Sequence, residues 1–159
     1  MSWDLPERSW RFAFEDDPPA DLPHAWAAAA RAVTHDLGCR RYGRPISLNG
    51  MCWNFKASDD CIALGFDGPV GAYHRCLGYL LETSAPQALV WLAGDVQYTL
   101  AGSEWVQWPI SGQRMLDPRL VDDHAVWVEP SMNAPAAAIG ELCTAAEEPS
   151  PIVRQSGTG

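Results

Sequence analysis

Cysteine and histidine are the side chains in this sequence best suited to hold a metal ion. The chain has five cysteines and four histidines, and they form neither a Cys-x-x-Cys pair nor a zinc-finger spacing. His74 and Cys76 are two residues apart in a segment that we predict to be helical, where such side chains point to different faces. We therefore expect no metal site and no cofactor.

A catalytic nucleophile is the next function that these residue types could supply. The sequence has no Gly-x-Ser-x-Gly elbow and no glycine-rich phosphate loop followed by lysine, and nothing marks one cysteine as activated. Asp122 or Asp123 could orient His124 as a general base, although this composition is common in loops. The sequence therefore favours a non-catalytic protein and leaves an enzyme as the alternative.

Aspartates occur in three adjacent pairs, each in or beside a predicted turn: Asp16-Asp17, Asp59-Asp60 and Asp122-Asp123. Aspartate is common in turns because its side chain bonds nearby backbone N–H groups, so solvated turn residues are the ordinary interpretation. The functional interpretation is an acidic contact surface, and we predict that the second and third pairs bind a partner.

The charge balance indicates what kind of partner such a surface would bind. The chain carries 20 acidic and 11 basic residues, a net charge of −9. This charge repels nucleic-acid phosphates and anionic membranes, so neither is expected as a partner. It complements a basic protein, and it also favours solubility.

Three features of the sequence bear on the compartment in which the protein is found. No apolar run approaches the roughly 20 residues that cross a bilayer. The first residues lack a basic segment followed by an apolar stretch, so no signal peptide is expected. An odd number of cysteines then predicts free thiols and a cytoplasmic location.

The elements that must position these residues follow from local periodicity. Alternating apolar residues predict a strand over Trp10–Phe14, and helical spacing predicts a helix over Leu22–Leu37 with Asp21 as its cap. Asn49-Gly50 predicts a hairpin turn, and Asp67-Gly68-Pro69 predicts the start of a second helix that reaches about Leu81. Further strands are predicted over 51–57, 61–66 and 124–129.

Glycines divide the segment before the last of these strands. Gly94-Asp95 and Gly102-Ser103 predict type II′ turns between strands over 88–93, 96–101 and 104–110. One face of this meander is apolar, and the other carries Gln97, Thr99 and Trp108 beside apolar residues. If that second face is open, Trp108 and its polar neighbours form a recognition surface.

Together these elements predict an α+β fold with mainly antiparallel sheet. We expect six to eight strands in two meanders, two or three helices packed on them, and an order of roughly β-α-βββ-α-ββββ. Residues 1–133 are predicted as a single domain. Residues 134–159 are predicted as a short helix, over about 135–147, and a flexible tail rich in Ala, Pro, Ser and Gly.

The leading functional hypothesis is a non-catalytic, acidic, Trp-rich protein that binds a basic protein, as immunity proteins and antitoxins do. Its candidate contact residues are Asp59, Asp60, Gln97, Thr99, Trp108, Asp122 and Asp123. The alternative is a small-molecule-binding or enzymatic domain with a pocket between sheet and helices. A homodimer through the open sheet face is a third hypothesis.

Overall fold

The computed structural model describes residues 8–68 and 73–143. Its elements, in chain order, are β1 (Arg8–Ala13), α1 (His24–Asp36), β2 (Tyr42–Gly43), β3 (Cys52–Ser58), β4 (Cys61–Asp67), β5 (Tyr73–Leu80), α2 (Ala85–Ser103), β6 (Val106–Gln107), β7 (Ile110–Ser111), β8 (Arg114–Met115), β9 (Asp117–Val121), β10 (His124–Glu129) and β11 (Ala134–Ala138). The α+β class with mainly antiparallel sheet is confirmed. The strands form several small sheets rather than two meanders, and their number and order match the prediction only roughly.

The largest sheet has four antiparallel strands in the order β1-β3-β4-β5. Its first pair places Phe12 opposite Trp53, which brings alternating apolar residues of both strands to one buried face. The predicted tight turn joins β3 to β4, with Ser58 opposite Cys61 and Asp59 in a left-handed conformation at φ 61°. The strands predicted around 10–14, 51–57 and 61–66 are therefore confirmed.

Helix α1 forms where helical spacing predicted it and packs on this sheet. Trp26 and Val33 on its apolar face are fully buried, and the Trp26 ring meets Phe55 of β3 edge-on. Trp53 fixes the other end of the helix, because its indole Nε1–H donates to Thr34 Oγ1 at 2.9 Å. The predicted Asp21 cap is wrong, since Pro23 occupies the N-cap position and no side chain caps the helix.

Helix α2 replaces the strands that were predicted over 88–93 and 96–101. Ser84 caps it by accepting a hydrogen bond from the Gln87 backbone N–H, and Pro86 lies in its first turn, where proline is tolerated. Its most buried positions follow a helical period: Ala88, Leu92, Ala93, Val96 and Leu100. The glycines that predicted hairpin turns lie within the helix, so the meander prediction was wrong.

Two other predicted elements also differ from the structure. The helix predicted from Gly68-Pro69 to about Leu81 is instead strand β5 from residue 73 onward, while residues 69–72 lie outside the described chain. Asn49-Gly50 does form a turn, with Gly50 at φ 82°, but residues 44–48 are not a strand, so no hairpin forms there. In the first case Pro86 was taken to mark a helix end, whereas it marks the start of α2.

A second, three-stranded antiparallel sheet has the order β11-β10-β9 and packs against α2. Strand β10 confirms the strand predicted over 124–129. The prediction of a helix over about 135–147 is wrong for the part of it that the structure describes. Ala134–Ala138 pair with β10 as strand β11. Ile139 and Leu142 are buried in the same core as the rest of the fold. The remainder of that prediction, and the predicted tail, lie outside the described residues.

Each of the two helices contacts both of the larger sheets. Helix α1 contacts the four-stranded sheet through Trp26 and the three-stranded sheet through the bond from Trp127 to Asp36. Helix α2 contacts the first sheet through Trp91 and Tyr79, and it packs against β9 and β10 of the second. Neither helix is long and apolar enough to cross a membrane, as judged over the described residues.

Two of the cysteines that were predicted to be free form a disulfide. Cys39, just after α1, is bonded to Cys143 across a sequence separation of 104 residues. Cys52 and Cys61 have free thiols. Spacing could not predict this bond, because the two residues meet only when the segment after β11 packs against the end of α1. Disulfides of this kind are typical of oxidising compartments, so the argument from free thiols to a cytoplasmic location no longer holds.

Candidate functional site

The predicted acidic contact residues lie on two exposed turns. Asp59 and Asp60 form the turn between β3 and β4, and Asp122 and Asp123 form the turn between β9 and β10. Both residues of the second turn have positive φ, 51° and 65°, as in a two-residue type I′ hairpin loop. The two pairs belong to different sheets, and no hydrogen bond or ion pair joins them within the described residues. They are accessible, and they are separate.

The other three predicted contact residues are part of the interior. Trp108 is fully buried, and Thr99 is 6% exposed within α2. Gln97 donates from Nε2 to the backbone oxygens of Trp108 and Leu116, at 3.1 and 2.6 Å. The open face that was to present Trp108 is therefore not formed. Gln97 and Trp108 instead fasten the loop after α2 to the helices.

The arrangement expected of a catalytic His124 is also not formed. Its ring Nδ1 lies 2.9 Å from the backbone oxygen of Asp122, which can only accept a hydrogen bond. The ring is thus oriented by a carbonyl group rather than by either neighbouring carboxylate. Because His124 is exposed and outside the cleft described below, its position supports no general-base site.

The free thiol of Cys61 is not activated. Its partial burial, together with the adjacent Asp60 carboxylate, raises the pKa of the Cys61 thiol above its ordinary value. A raised pKa lowers the fraction of thiolate at neutral pH, and the thiolate is the nucleophile. Cys61 is therefore a poor candidate for covalent catalysis.

A buried aspartate that the sequence did not single out forms the centre of the polar interior. Asp36, the last residue of α1, is fully buried. Its Oδ2 accepts from Trp127 Nε1–H at 2.8 Å and from Gly140 N–H at 2.7 Å, and its Oδ1 accepts from Leu142 N–H at 3.0 Å. Its backbone oxygen accepts from Trp108 Nε1–H at 2.9 Å. Every one of these donors belongs to a segment after α2.

Asp36 is built to hold the fold together rather than to perform chemistry. Gly140 reaches it at φ +107°, and a Cβ at that position would stand 3.1 Å from the side chain of Ala32. The Cys39–Cys143 disulfide fastens the same segment one turn further along. Since its carboxylate is already saturated by internal donors, Asp36 has no oxygen to offer to a ligand.

A cleft opens between the four-stranded sheet and α1, at the end of the sheet where β1 leads into the helix. Its volume is about 210 Å³. The loop after β1 and two strands form one side, and α1 forms the other; the lining residues are Phe12, Phe14, Glu15, Asp16, Asp17, Pro18, Ala30, Arg31, Thr34, His35 and Trp53. The Trp53–Thr34 hydrogen bond crosses its inner wall.

The rim of this cleft carries opposite charges on its two sides. Glu15, Asp16 and Asp17 are exposed on the loop side, and Arg31 and His35 are exposed on the helix side. The first of the three aspartate pairs, which the sequence did not select as a contact residue pair, thus borders a concave site. Its partners in the cleft are distant in sequence, so only the fold brings them together.

Among the tryptophans of the described residues, Trp105 rather than Trp108 is strongly exposed to solvent. Its side chain is 74% exposed, and that of Tyr42, on the neighbouring strand β2, is 57% exposed. Trp105 has φ 57°, which is unusual for a bulky residue. It is held there by Arg44, whose backbone N–H donates to the Trp105 oxygen at 3.1 Å and whose side chain pairs with Glu104.

No group of three metal-binding side chains is placed to hold a metal ion within residues 8–68 and 73–143. Comparisons of this chain with protein-family models, with curated proteins and with solved structures found no match. The function is therefore argued from the geometry alone.

Proposed function

We propose that this protein is a non-catalytic binding protein whose acidic surface binds a basic protein partner. The observation that carries the proposal is the state of the turn aspartates. All six are exposed, and none of them forms an ion pair within the part of the chain that the structure describes. Their charges are therefore available to lysine and arginine side chains of a partner.

Three other acidic residues are paired within the fold, which makes the turn aspartates distinct from them. Asp67 accepts hydrogen bonds from Arg11 at 2.8 Å and from Asn54 at 2.6 Å, and these bonds hold the pKa of the Asp67 carboxyl below its usual range. Glu104 pairs with Arg44, and Asp117 pairs with Arg119, as found on many protein surfaces. The charges of these three residues are thus compensated, whereas those of the turn aspartates are not.

Uncompensated surface charge of one sign affects association more than dissociation. It steers an oppositely charged partner and raises the association rate constant, an effect that falls as ionic strength rises. A net charge of −9 suits an inhibitor that must capture a basic toxin or nuclease rapidly. The exposed Trp105 supplies an apolar anchor of the kind that dominates protein interfaces.

Native mass spectrometry of the protein isolated gently from its host tests the proposal. A stoichiometric adduct with a basic protein is expected, and the association rate constant for that protein should fall about tenfold between roughly 20 and 200 mM salt. Asp59→Asn/Asp60→Asn should lower this rate constant, and the charge-conserving control Asp60→Glu should not. The bare chain, or a partner whose binding ignores both salt and the Asp59/Asp60 pair, would contradict the proposal.

A second candidate function, binding of a small molecule, is favoured by the position of the cleft between sheet and helix. Two features count against it as a site for a metabolite or cofactor. Its volume of about 210 Å³ is below the roughly 300–1,000 Å³ of ordinary ligand pockets, and His124 does not line it. A thermal-shift screen of fragments separates the functions, because a small-molecule site should yield ligands that raise Tm. These ligands should also shift the NMR signals of Trp53 and its neighbours.

A further inference from the structure

The cleft between the loop after β1 and α1 has the features of a subsite within the proposed interface. We infer that it takes one cationic side chain, arginine or lysine, from the basic partner. This inference rests on the proposed function and assigns it a specific point of contact. It also gives a role to Asp16 and Asp17, the one aspartate pair that was not predicted from the sequence to bind a partner.

The size of the cleft selects for a side chain. At about 210 Å³ it is smaller than the pockets that enclose whole metabolites or cofactors, which occupy roughly 300–1,000 Å³. A single long side chain projecting from a protein surface requires no more than a short, open cleft. The dimensions thus fit a residue of a partner better than a free ligand.

The chemistry of the walls fits the two parts of an arginine or lysine side chain. Phe12, Phe14 and Trp53 form the inner wall, with the Phe14 and Trp53 rings stacked at 4.5 Å. The part of these rings that borders the cleft is apolar and can pack against an aliphatic stem. Glu15, Asp16 and Asp17 then supply carboxylates at the rim, where a guanidinium or ammonium group would lie.

The helix side of the cleft determines where the cationic head group of the bound side chain would lie. Arg31 repels a cationic head group, so the head group is expected on the loop side, beside Asp16 and Asp17. The same argument makes Arg31 a residue whose removal should strengthen binding. A gain of affinity cannot be produced by a variant that merely unfolds, which makes this substitution a decisive one.

The experiment uses N-acetyl-arginine amide as the probe and its neutral isostere N-acetyl-citrulline amide as the control. Each is titrated into ¹⁵N-labelled protein at low ionic strength. The arginine compound should shift the Trp53 indole N–H signal and the backbone amides of residues 14–18 and 30–35, with saturation at millimolar concentration. The citrulline compound should shift them far less, because it lacks the charge.

Three variants locate the binding determinant. Asp16→Asn/Asp17→Asn should weaken binding of the arginine compound about fivefold, the size expected from two exposed ion pairs. Asp122→Asn/Asp123→Asn removes the same charge from a turn outside the cleft and should leave the affinity within a factor of two. Arg31→Gln should strengthen binding about twofold. Equal binding of the two compounds, or shifts confined to other turns, would overturn the inference.

A second probe separates this inference from the proposed function. A peptide with four consecutive arginines presents the charge of a basic partner surface. If it shifts the turns at Asp59–Asp60 and Asp122–Asp123 but not the cleft, the subsite is wrong and the acidic surface stands. If it shifts no amide of the described residues, the acidic surface itself is wrong.

Discussion

Replacing Asp36 by asparagine should destabilise the fold by about 2–4 kcal/mol, although the two side chains have the same shape. The carboxylate accepts from three N–H groups, two at Oδ2 and one at Oδ1, and Nδ1 of the exposed His35 ring also lies 3.3 Å from Oδ1. An amide has only one oxygen, so in its better orientation it keeps the bonds from Trp127 and Gly140 and turns its NH₂ toward Leu142 N–H. One buried donor then lacks an acceptor, at about 1–3 kcal/mol, and the remaining two bonds lose their charge assistance.

Two further substitutions calibrate this effect. Asp36→Ala leaves all three donors without an acceptor, so its cost should exceed about 4 kcal/mol, which few substitutions reach. Trp127→Phe removes one donor and keeps an aromatic ring in the core, so it should cost about 1–3 kcal/mol. The double variant Asp36→Asn/Trp127→Phe should then show a coupling energy of about 1 kcal/mol, because the residues share one network.

Urea unfolding at pH 7 under oxidising conditions measures these values, with the disulfide intact in every variant. The midpoint should fall while the slope stays unchanged, as expected when stability alone changes. For a chain of 159 residues, each kcal/mol corresponds to about 2–4 °C, so Asp36→Asn should lower Tm by about 5–15 °C. An Asp36→Asn variant within about 0.5 kcal/mol of the wild type would refute the argument that these bonds organise the interior.

Three further perturbations test other parts of the structure. Reducing the Cys39–Cys143 disulfide, which spans 104 residues, should lower the free energy of unfolding by about 2–4 kcal/mol, measured by urea unfolding with and without dithiothreitol; an unchanged midpoint would count against the bond. Asp67→Asn should lower Tm at pH 7. Because the folded pKa of Asp67 is depressed, its stabilisation is present above the unfolded pKa of about 4 and lost as the pH falls through the folded value, so the Tm difference should vanish near pH 2. Asp122→Asn/Asp123→Gly should raise stability by about 1 kcal/mol in the same urea assay, since both positions have positive φ; destabilisation would show that the turn is not of type I′.

Local patterns predicted those elements whose two faces differ. Strands β1 and β3 alternate apolar and polar residues, and the turn at Asp59 needs only neighbouring residues to form. Helix α1 likewise has one apolar stripe, facing the sheet. In each case the burial pattern repeats the sequence pattern, which is why single-sequence periodicity was sufficient.

Helix α2 was missed because most of its surface is apolar. It contacts α1 and both larger sheets, so its sequence lacks the polar face that distinguishes a surface helix. Without that signal, Gly94 and Gly102 led to the prediction of hairpin turns instead of a helix. A signal was nevertheless present: Ser84 and Gln87 have the spacing of a capping box, and Pro86 between them suits a first helical turn.

The candidate site could be predicted only where it depends on local structure. The exposure of Asp59, Asp60, Asp122 and Asp123 follows from their being in turns, and the sequence predicted that correctly. The placement of Trp108 depended on strand register in a meander that does not exist. The cleft joins β1, β3 and α1, and the Asp36 network joins residues 104 and 106 positions apart. Neither arrangement leaves a pattern in neighbouring residues.

Two groups of carboxylates in this protein can be altered independently. Asp36 is saturated by internal donors and bears on stability, whereas the turn aspartates are exposed and form no ion pair within the described residues. Removing charge from the turns therefore leaves the interior network intact, and substitutions well apart contribute additively to stability. A loss of binding in Asp59→Asn/Asp60→Asn or Asp16→Asn/Asp17→Asn with an unchanged unfolding midpoint would thus be an effect on the surface alone. If the midpoint fell as well, the turns would contribute to the fold, and the separation on which the proposed function depends would be wrong.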